Sequence, residues 1–419
     1  MRHPLKALVF STIFFSSYFT VNGQETLRAY ADKIGLNIGS CTFYQAYRTD
    51  QTYSNTLKRE FNTIVAENEM KASSLQPNRG QFNFSRADDM VKWAEENNMK
   101  VRGHVLVWHA QNPGFLQNGS WNRTTLLQAM KEHIEGVLGH FKPKNKTVWE
   151  WDVVNEAFHN DGSNGSFRSS FWKNTIGEDF IDSAFAYAHR ADPNVLLFYN
   201  DYNTSNVNAK STAMYNKIKK MLDNGIPIHG VGFQSHQTLE EYTPAFIASL
   251  KENFDRFAKL GLKISVTELD IRIKLPSDQN ALKKQADYYR EYLETVLANP
   301  ACRTFMIWGF TDRHSWVPGT FPGTGEALIF NNSYQPKPAH TALLNVLKNY
   351  KTSADFQTIK PVQTSILNTG SRYVFNLKGE KISSYSVLKN DAHTPGFRAA
   401  NQILVTEQGK RAMLLMNND

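Results

Sequence analysis

The sequence lacks the short motifs that identify several large classes of enzyme. It has no Gly-x-Gly-x-x-Gly ahead of a helix, no phosphate-binding loop and no Gly-x-Ser-x-Gly, so nucleotide-binding and serine-esterase functions are not indicated. Paired metal-ligand motifs such as His-Glu-x-x-His, His-x-His and Cys-x-x-Cys are missing as well. Several histidines and aspartates could bind a metal singly, but without such pairs we predict neither a catalytic metal nor a cofactor.

Long apolar runs are missing too, except for one at the N-terminus. Arg2 and Lys6 precede or border the apolar segment 7–18, and small or neutral residues follow at 21–23. This pattern is typical of a secretory signal peptide, and the segment is too short and too rich in serine for a membrane span. We predict a signal peptide over residues 1–23, cleavage near Gly23, and a secreted, extracellular protein without a membrane span.

Clustered positive charge is missing from the main part of the chain, although the net charge is +8. Segments 1–23 and 351–419 carry +6 of this charge, so the segment between them carries only +2. Since no run of Lys and Arg occurs, we predict no nucleic-acid partner. We also expect a monomer.

Eight short runs rich in β-branched and aromatic residues recur along the chain, and amphipathic helical patterns separate most of them. The predicted strands are residues 34–38, 63–66, 101–107, 148–154, 195–199, 231–233, 264–266 and 304–308. Strands that alternate eight times with helices are typical of a (β/α)₈ or TIM barrel, which we predict over residues 24–350 of an α/β protein. The helical pattern at 342–347 would close the barrel.

The composition changes after residue 350. Thr, Ser, Gln and Pro dominate residues 352–364, so we predict a linker over 351–370. Short alternating runs at 373–375 and 402–406 predict a small β-rich C-terminal appendage over 371–419. It contains no tryptophan, and packing on the barrel or a role in export or cell-surface attachment is favoured over sugar binding.

Cysteine is scarce, with only Cys41 and Cys302. In the predicted barrel Cys41 lies near the end of the first strand and Cys302 near the start of the last. These positions are at opposite ends of the barrel, beyond the reach of a disulfide. We therefore predict two buried free thiols rather than a bridge.

Polar side chains follow the predicted strands, whose carboxyl ends meet at one face of a barrel. The fourth strand leads into Glu156 and the seventh into Glu268. A single glutamate in such a place is usually solvated or salt-bridged, but two on separate strands suit acid–base and nucleophilic chemistry at a glycosidic bond. Amide, imidazole and indole groups at the other strand ends suit the hydroxyl groups and apolar faces of sugar rings.

Two segments resemble the signatures of glycoside hydrolase family 10, the endo-β-1,4-xylanases. They are residues 151–157 (Trp-Asp-Val-Val-Asn-Glu-Ala) and 267–270 (Thr-Glu-Leu-Asp). Further segments resemble the family's in the same order, at 68–71, 103–111, 200–203, 232–236 and 308–312. The resemblance covers roughly residues 30–349 and implies hydrolysis of internal β-1,4 bonds in xylan and xylo-oligosaccharides with retention of configuration.

The resemblance also implies roles for individual residues. Glu156 would be the acid/base, beside Asn155 on the sugar 2-hydroxyl. Glu268 would be the nucleophile, supported by His236 and Asp270. The remaining substrate-binding residues would be Glu67, Asn68, Lys71, His104, Trp108, Gln234, Trp308 and Trp316 on the glycone side and Tyr202 on the leaving-group side. From the residues alone, Asp152 and Asp270 are interpreted as partners that orient His or Arg, and His109 as a buried, hydrogen-bonded histidine.

A retaining mechanism requires the two carboxyl groups to lie about 5–5.5 Å apart. Glu268 would attack the anomeric carbon while Glu156 protonates the leaving oxygen, and Glu156 would then take a proton from water. The main alternative is a retaining β-1,4-glucanase with the same two carboxylates. A non-catalytic glycan-binding protein is less favoured, because both glutamates are present.

Overall fold

A computed structural model of the chain describes residues 25–159 and 167–350, together with the backbone of four short strands in 351–419. The chain divides into two compact units, residues 1–352 and 353–419. The predicted signal peptide and the whole of the predicted linker lie outside the described residues.

The first unit is an alternation of helices and strands. Its α-helices are α1 Leu27–Ile34, α2 Tyr44–Thr49, α3 Gln51–Glu60, α4 Ala72–Leu75, α5 Ser85–Glu96, α6 Gly114–Gln117, α7 Arg123–Phe141, α8 Phe171–Ile176, α9 Phe180–Ala191, α10 Ala209–Asp223, α11 Pro244–Ala258, α12 Gln279–Ala298, α13 Val317–Thr320 and α14 Pro338–Asn349. Its strands are β1 Asn37–Thr42, β2 Thr63–Ala66, β3 Lys100–Val107, β4 Val148–Asn155, β5 Leu196–Asp201, β6 Gly230–Phe233, β7 His236–Thr238, β8 Lys263–Lys274, β9 Cys302–Ile307 and β10 Thr324–Gly325.

Eight parallel strands close into a barrel in the order β1-β2-β3-β4-β5-β6-β8-β9, with β9 paired back to β1. The predicted (β/α)₈ architecture is therefore confirmed. The predicted closing helix is part of α14, and it packs its buried residues Leu343 and Leu347 into the core. All eight barrel strands are parallel, so their carboxyl ends lie on one face.

The first predicted strand, 34–38, is wrong in its position. Thr26 caps α1 through its side chain, and this helix continues to Ile34. Gly35 then adopts a left-handed conformation (φ +66°), and its N–H bonds to the carbonyls of Ala31 and Asp32. Glycine is the residue that most easily ends a helix in this way, so the helix stops inside the predicted strand and β1 begins only at Asn37.

A buried ionic cluster fills part of the barrel interior. The Arg102 guanidinium lies 2.5 Å from carboxylate oxygens of both Glu150 and Asp152, and all three side chains are almost fully buried. A Cβ built on Gly232 of β6 would lie only 3.1 Å from Arg102 Nη2, so this arginine of β3 reaches across the barrel. Because buried charges need partners, the two carboxylates and the guanidinium hold each other in place.

Cys41 and Cys302 are both buried free thiols, as predicted. Burial raises the pKa of each thiol, which disfavours the reactive thiolate. Among the described residues, no helix has the length and apolarity that a bilayer span requires.

The second unit contains two antiparallel strand pairs in its described backbone. β11 (Arg372–Phe375) pairs with β12 (Lys381–Tyr385), and β13 (Ile403–Val405) pairs with β14 (Arg411–Met413). The two alternating runs singled out in the sequence fall on β11 and β13, so the predicted β-strands at these positions are confirmed.

Candidate active site

A cavity of about 580 Å³ opens at the carboxyl ends of the barrel strands. Every residue predicted to be catalytic or substrate-binding lines it: Glu67, Asn68, Lys71, His104, Trp108, Asn155, Glu156, Tyr202, Gln234, His236, Glu268, Trp308 and Trp316. The cavity wall also includes Gln111, Asn203, Arg272 and Phe321, which are not among the predicted site residues. The structure thus brings the predicted residues together, while their catalytic roles stay predictions.

Glu156 follows β4 in a left-handed backbone conformation, with φ +56°. This conformation costs a non-glycine residue on the order of 1–3 kcal/mol and is held only where neighbours fix it. Here Glu156 N donates to Asn200 O at 2.9 Å, and Arg168 Nε donates to Glu156 O at 3.0 Å. The register shift between Asp152 and Val154 precedes this bend, so a bulge and a strained residue together direct the carboxyl group into the cavity.

The Glu156 carboxyl group accepts hydrogen bonds from neutral donors. Trp108 Nε1 lies 2.9 Å from Oε2, and Gln234 Nε2 lies 2.9 Å from Oε1. The side-chain amide of Asn155 adds a bond of 3.2 Å to Oε1. These contacts fix the orientation of the group without placing a cation directly against it.

Glu268 lies inside a long strand rather than at a strand end, which corrects the predicted strand 264–266. β8 continues for six residues beyond it, to Lys274, because this extension pairs with β7 on one side and β10 on the other. The register with β9 shifts between Val266 and Leu269, on either side of Glu268. The bulge turns the carboxylate toward the cavity although the strand does not end there.

The carboxylate of Glu268 is held in its charged form. Asn200 Nδ2 donates to its Oε1 at 2.8 Å, and His236 Nε2 lies 3.2 Å from its Oε2. Burial by itself would raise the pKa of Glu268, but the hydrogen bond and the charge of His236, together with the electrostatic effect of His104, outweigh burial, and the pKa lies below its usual value. The side chain is thus ready to act as a nucleophile.

His236 connects Glu268 to a second buried carboxylate. Its Nδ1 lies 2.7 Å from Asp270 Oδ2, which also accepts a hydrogen bond of 2.8 Å from Trp316 Nε1. Burial opposes charge on the imidazole, but Asp270 and Glu268 overcome it and raise the pKa of His236 to about 10. The predicted hydrogen-bonded support of Glu268 by His236 and Asp270 is present.

We expect the His236→Asn variant to have a flatter dependence of stability on pH. The pKa of His236 is about 10 in the folded protein against a usual 6.5, so its stabilisation is complete below pH 6.5 and is lost as the pH rises through 10. The loss should be on the order of a few kcal/mol, since each pKa unit corresponds to about 1.4 kcal/mol. Urea unfolding of both proteins at pH 6, 8 and 10 measures it. Equal losses in the two proteins would contradict a charged His236.

A chain of amides joins the two glutamates. Gln234 Nε2 donates to Asn155 Oδ1 as well as to Glu156, and Asn200 Nδ2 donates to the same Asn155 oxygen as well as to Glu268. Thr267 Oγ1 donates to Asn200 Oδ1 and so fixes which end of that amide faces the carboxylate. Asn200 lies in the segment 200–203 that resembles the family but is not among the predicted site residues, because only its contacts reveal its role.

Asp152 orients His104, as its interpretation as a supporting residue predicts. His104 Nδ1 lies 2.9 Å from Asp152 Oδ2, and Asp152 is fixed in turn by the Arg102 guanidinium. Burial by itself would raise the pKa of Asp152, but the charge of Arg102 and the hydrogen bonds from His104 and Arg102 together hold it below its usual value. The ring of Trp308 lies edge-on to His104, with 5.6 Å between centroids.

Lys71 and Glu67 form the charged part of the predicted glycone side. Lys71 Nζ donates to Gln111 Oε1 at 2.7 Å and lies 5.0 Å from the centre of the Trp108 ring. Burial lowers the pKa of Lys71, and it raises the pKa of Glu67. Asn68 is linked to Lys71 through Gln111, whose Nε2 donates a hydrogen bond of 3.0 Å to Asn68 Oδ1.

Tyr202 on the predicted leaving-group side is held by two cations. Arg168 Nη2 donates to its hydroxyl at 2.6 Å, and Lys210 Nζ lies 3.7 Å from the ring centre. Lys210 also forms a buried ion pair of 2.7 Å with Asp201. Neither Arg168 nor Lys210 could be predicted as a site residue, because neither lies within a segment that resembles the family.

The prediction of a hydrogen-bonded His109 is wrong. Among the described residues, its Nδ1 has no hydrogen-bond partner, although it lies 3.7 Å from Glu156 Oε2. Burial and the nearby charges of Arg168 and Lys210 lower the pKa of His109 to about 4. His109 is therefore a neutral neighbour of Glu156 and contributes no positive charge to it.

In the part of the chain that the structure describes, no group of three or more His, Cys, Asp or Glu side chains is arranged to hold a metal ion.

Comparison with known proteins gives a consistent result. The family model described as glycosyl hydrolase family 10 matches residues 26–346. Endo-1,4-beta-xylanase B of Thermotoga neapolitana is 42% identical over 325 residues, which are 77% of this chain and 91% of that protein. Endo-1,4-beta-xylanase 1 of Gibberella zeae is 40% identical over 309 residues, 72% of this chain and 85% of that protein.

The fold has close counterparts among solved structures. Xylanase 10B from Thermotoga petrophila, solved in complex with xylobiose, superposes with a TM-score of 0.73 at 41% identity, over 77% of this chain and 97% of that one. Native xylanase 10B from Thermotoga maritima gives the same TM-score at 42% identity, over 77% and 98%. The family match over most of the chain and the extent of these similarities show that the chain belongs to glycosyl hydrolase family 10.

Proposed function

We propose that this protein is a secreted endo-β-1,4-xylanase that hydrolyses internal bonds of xylan and xylo-oligosaccharides with retention of configuration. The observation that supports the proposal is that two glutamates in one cavity accept hydrogen bonds from different kinds of donor. Glu268 accepts from Asn200 and from a protonated His236, whereas Glu156 accepts from neutral indole and amide groups. The relatives named above, which are xylanases, support the choice of polymer.

The different surroundings of the two groups support a different role for each. Glu268, kept as a carboxylate, attacks the anomeric carbon, and the bond to the leaving oxygen breaks as Glu156 gives that oxygen its proton. Glu156, now a carboxylate, takes a proton from water, whose oxygen attacks the anomeric carbon and releases Glu268. Retention further requires a carboxyl separation of about 5–5.5 Å, which remains a prediction.

The polymer is tested by comparing two substrates that differ only at C5. Xylose lacks the hydroxymethyl group of glucose, and Trp308 and Trp316 line the cavity where the ring would stack. We expect kcat/KM for an aryl β-xylobioside to exceed that for the matching aryl β-cellobioside by at least about tenfold, the usual lower range for a difference of one small group in a pocket. Equal or reversed rates would favour the β-1,4-glucanase alternative.

Export is proposed on the N-terminal pattern alone, because residues 1–24 lie outside the described part of the chain. N-terminal sequencing of protein recovered from culture medium should begin near residue 24. An intact Met1 on the extracellular protein would contradict the proposed cleavage.

The appendage at 371–419 is proposed to serve export or surface attachment. Deletion after Tyr350 should then change where the enzyme is found without removing xylan hydrolysis.

A further inference from the structure

Arg272 brings an unexpected positive charge to the wall of the cavity. It belongs to the extension of β8 beyond Glu268, and it lines the same cavity as the two glutamates. Alternate residues of a strand share one face, so Glu268, Asp270 and Arg272 point the same way. At about 3.3 Å per residue, Arg272 lies about 13 Å along the strand from Glu268.

The Arg272 guanidinium is held in place by aromatic rings. Its central carbon lies 4.1 Å from the centre of the Phe321 ring. Phe321 contacts Trp316 edge-to-face at 5.5 Å, and Trp316 donates to Asp270. Stacking of this kind fixes the plane of a guanidinium while leaving its N–H donors at the edge free to bind.

Arg272 has no acidic partner within the described part of the chain. It forms neither an ion pair nor a side-chain hydrogen bond there, and it is partly exposed. The other cations of the cavity wall already have partners: Lys71 donates to Gln111 and Asn68, and His236 is hydrogen-bonded to Glu268 and Asp270. Lys274, two residues further along β8, pairs with Glu240 at 3.6 Å. Arg272 thus offers a planar set of donors to the cavity, and a neutral polysaccharide main chain has no group of opposite charge to match it.

We propose that Arg272 binds the carboxylate of a uronic acid branch on the xylan chain and so makes the enzyme favour acidic, branched substrate. The proposal rests on the proposed xylanase function. A guanidinium matches a carboxylate in shape and binds it through two parallel hydrogen bonds. Because the site is partly exposed, the pair between Arg272 and the branch carboxylate should raise kcat/KM by about three- to tenfold at low salt, relative to a substrate without the carboxylate. The increase should be smaller at higher salt.

The test compares two oligosaccharides of nearly the same shape. One is a xylo-oligosaccharide with a single glucuronic acid branch, and the other is the same compound after reduction of the branch carboxyl group to a hydroxymethyl group. The measured quantity is the ratio of kcat/KM for the acidic over the reduced compound. We expect a ratio of about three to ten for the unmodified enzyme, close to one for Arg272→Met, and an intermediate value for Arg272→Lys, which keeps the charge without the planar donors.

Lys274→Met is the matched control, because it removes a positive charge from the same strand but outside the cavity wall, and its ratio should equal that of the unmodified enzyme. An Arg272→Met ratio equal to that of the unmodified enzyme would overturn the proposal, as would a ratio near one in the unmodified enzyme. If thermal unfolding shows that Arg272→Met is not folded, the proposal is tested instead by the ratio for Arg272→Lys and by the salt dependence of the ratio for the unmodified enzyme. Failure of the unmodified enzyme to cleave unbranched xylo-oligosaccharide would instead contradict the proposed function. The two compounds can still be compared by their Kd for the unmodified protein, so the two failures are distinguishable.

Discussion

Replacement of Glu268 by alanine should abolish xylan hydrolysis, with a loss in kcat on the order of 10⁴-fold or more. The side chain is the proposed nucleophile, and no other described carboxylate of the cavity is paired with a protonated imidazole and an amide in the same way. Initial rates on soluble xylan and on an aryl β-xylobioside measure the effect. The loss should be large on both substrates, because the attack of Glu268 on the anomeric carbon is required whichever group leaves.

Glu268→Gln is the matched control for packing. It keeps the size of the side chain and a hydrogen bond to His236 or Asn200, so it should fold normally and be about as inactive as the alanine variant. In Glu268→Ala, added azide should occupy the vacated space and attack the aryl substrate directly, giving an α-glycosyl azide. Retained activity in either variant, or azide attack that yields only the β product, would overturn the assignment.

Replacement of Glu156 by alanine should give a large loss that depends on the leaving group. Hydrolysis of xylan, whose leaving sugar needs a proton, should fall by about 10²–10⁴-fold. An aryl β-xylobioside with an acidic phenol needs no proton to depart, so its first step should be nearly preserved. The second step, in which water loses a proton, should be slow, and the glycosyl-enzyme should accumulate. A burst of phenol followed by slow turnover, and mass spectrometry of the intact protein, would detect it.

Azide separates this prediction from a structural defect. In Glu156→Ala it should attack the accumulated intermediate from the side that water would use and give a β-glycosyl azide, the opposite product to that of Glu268→Ala. Asn155→Ala is not a neutral control because Asn155 donates to Glu156, so a Glu240→Gln variant outside the cavity serves instead. An equal loss on xylan and on the activated aryl substrate would exclude Glu156 as the proton donor.

Much of the site was predictable because its residues belong to short, contiguous segments. Asn155 and Glu156 directly follow a strand pattern, as do Trp108 and His109, and a barrel brings all such strand ends to one face. The errors occurred where contacts outweighed local pattern. The Glu268 strand continues because β7 and β10 extend it, and the first strand begins late because Gly35 favours the end of a helix.

The sequence by itself determined the barrel, the β-strands at 373–375 and 402–406 and the pair Glu156 and Glu268. Strand–helix alternation and local motifs depend on residues that are neighbours in the sequence. Only the tertiary structure decided which donors each carboxylate receives. Asn200 and Glu268 are 68 residues apart, yet their side chains lie at 2.8 Å. The charge of His236, the neutrality of His109 and the unpaired Arg272 likewise depend on groups brought together from separate parts of the chain. Electrostatic effects on a group follow distance in space, which no local pattern in the sequence specifies.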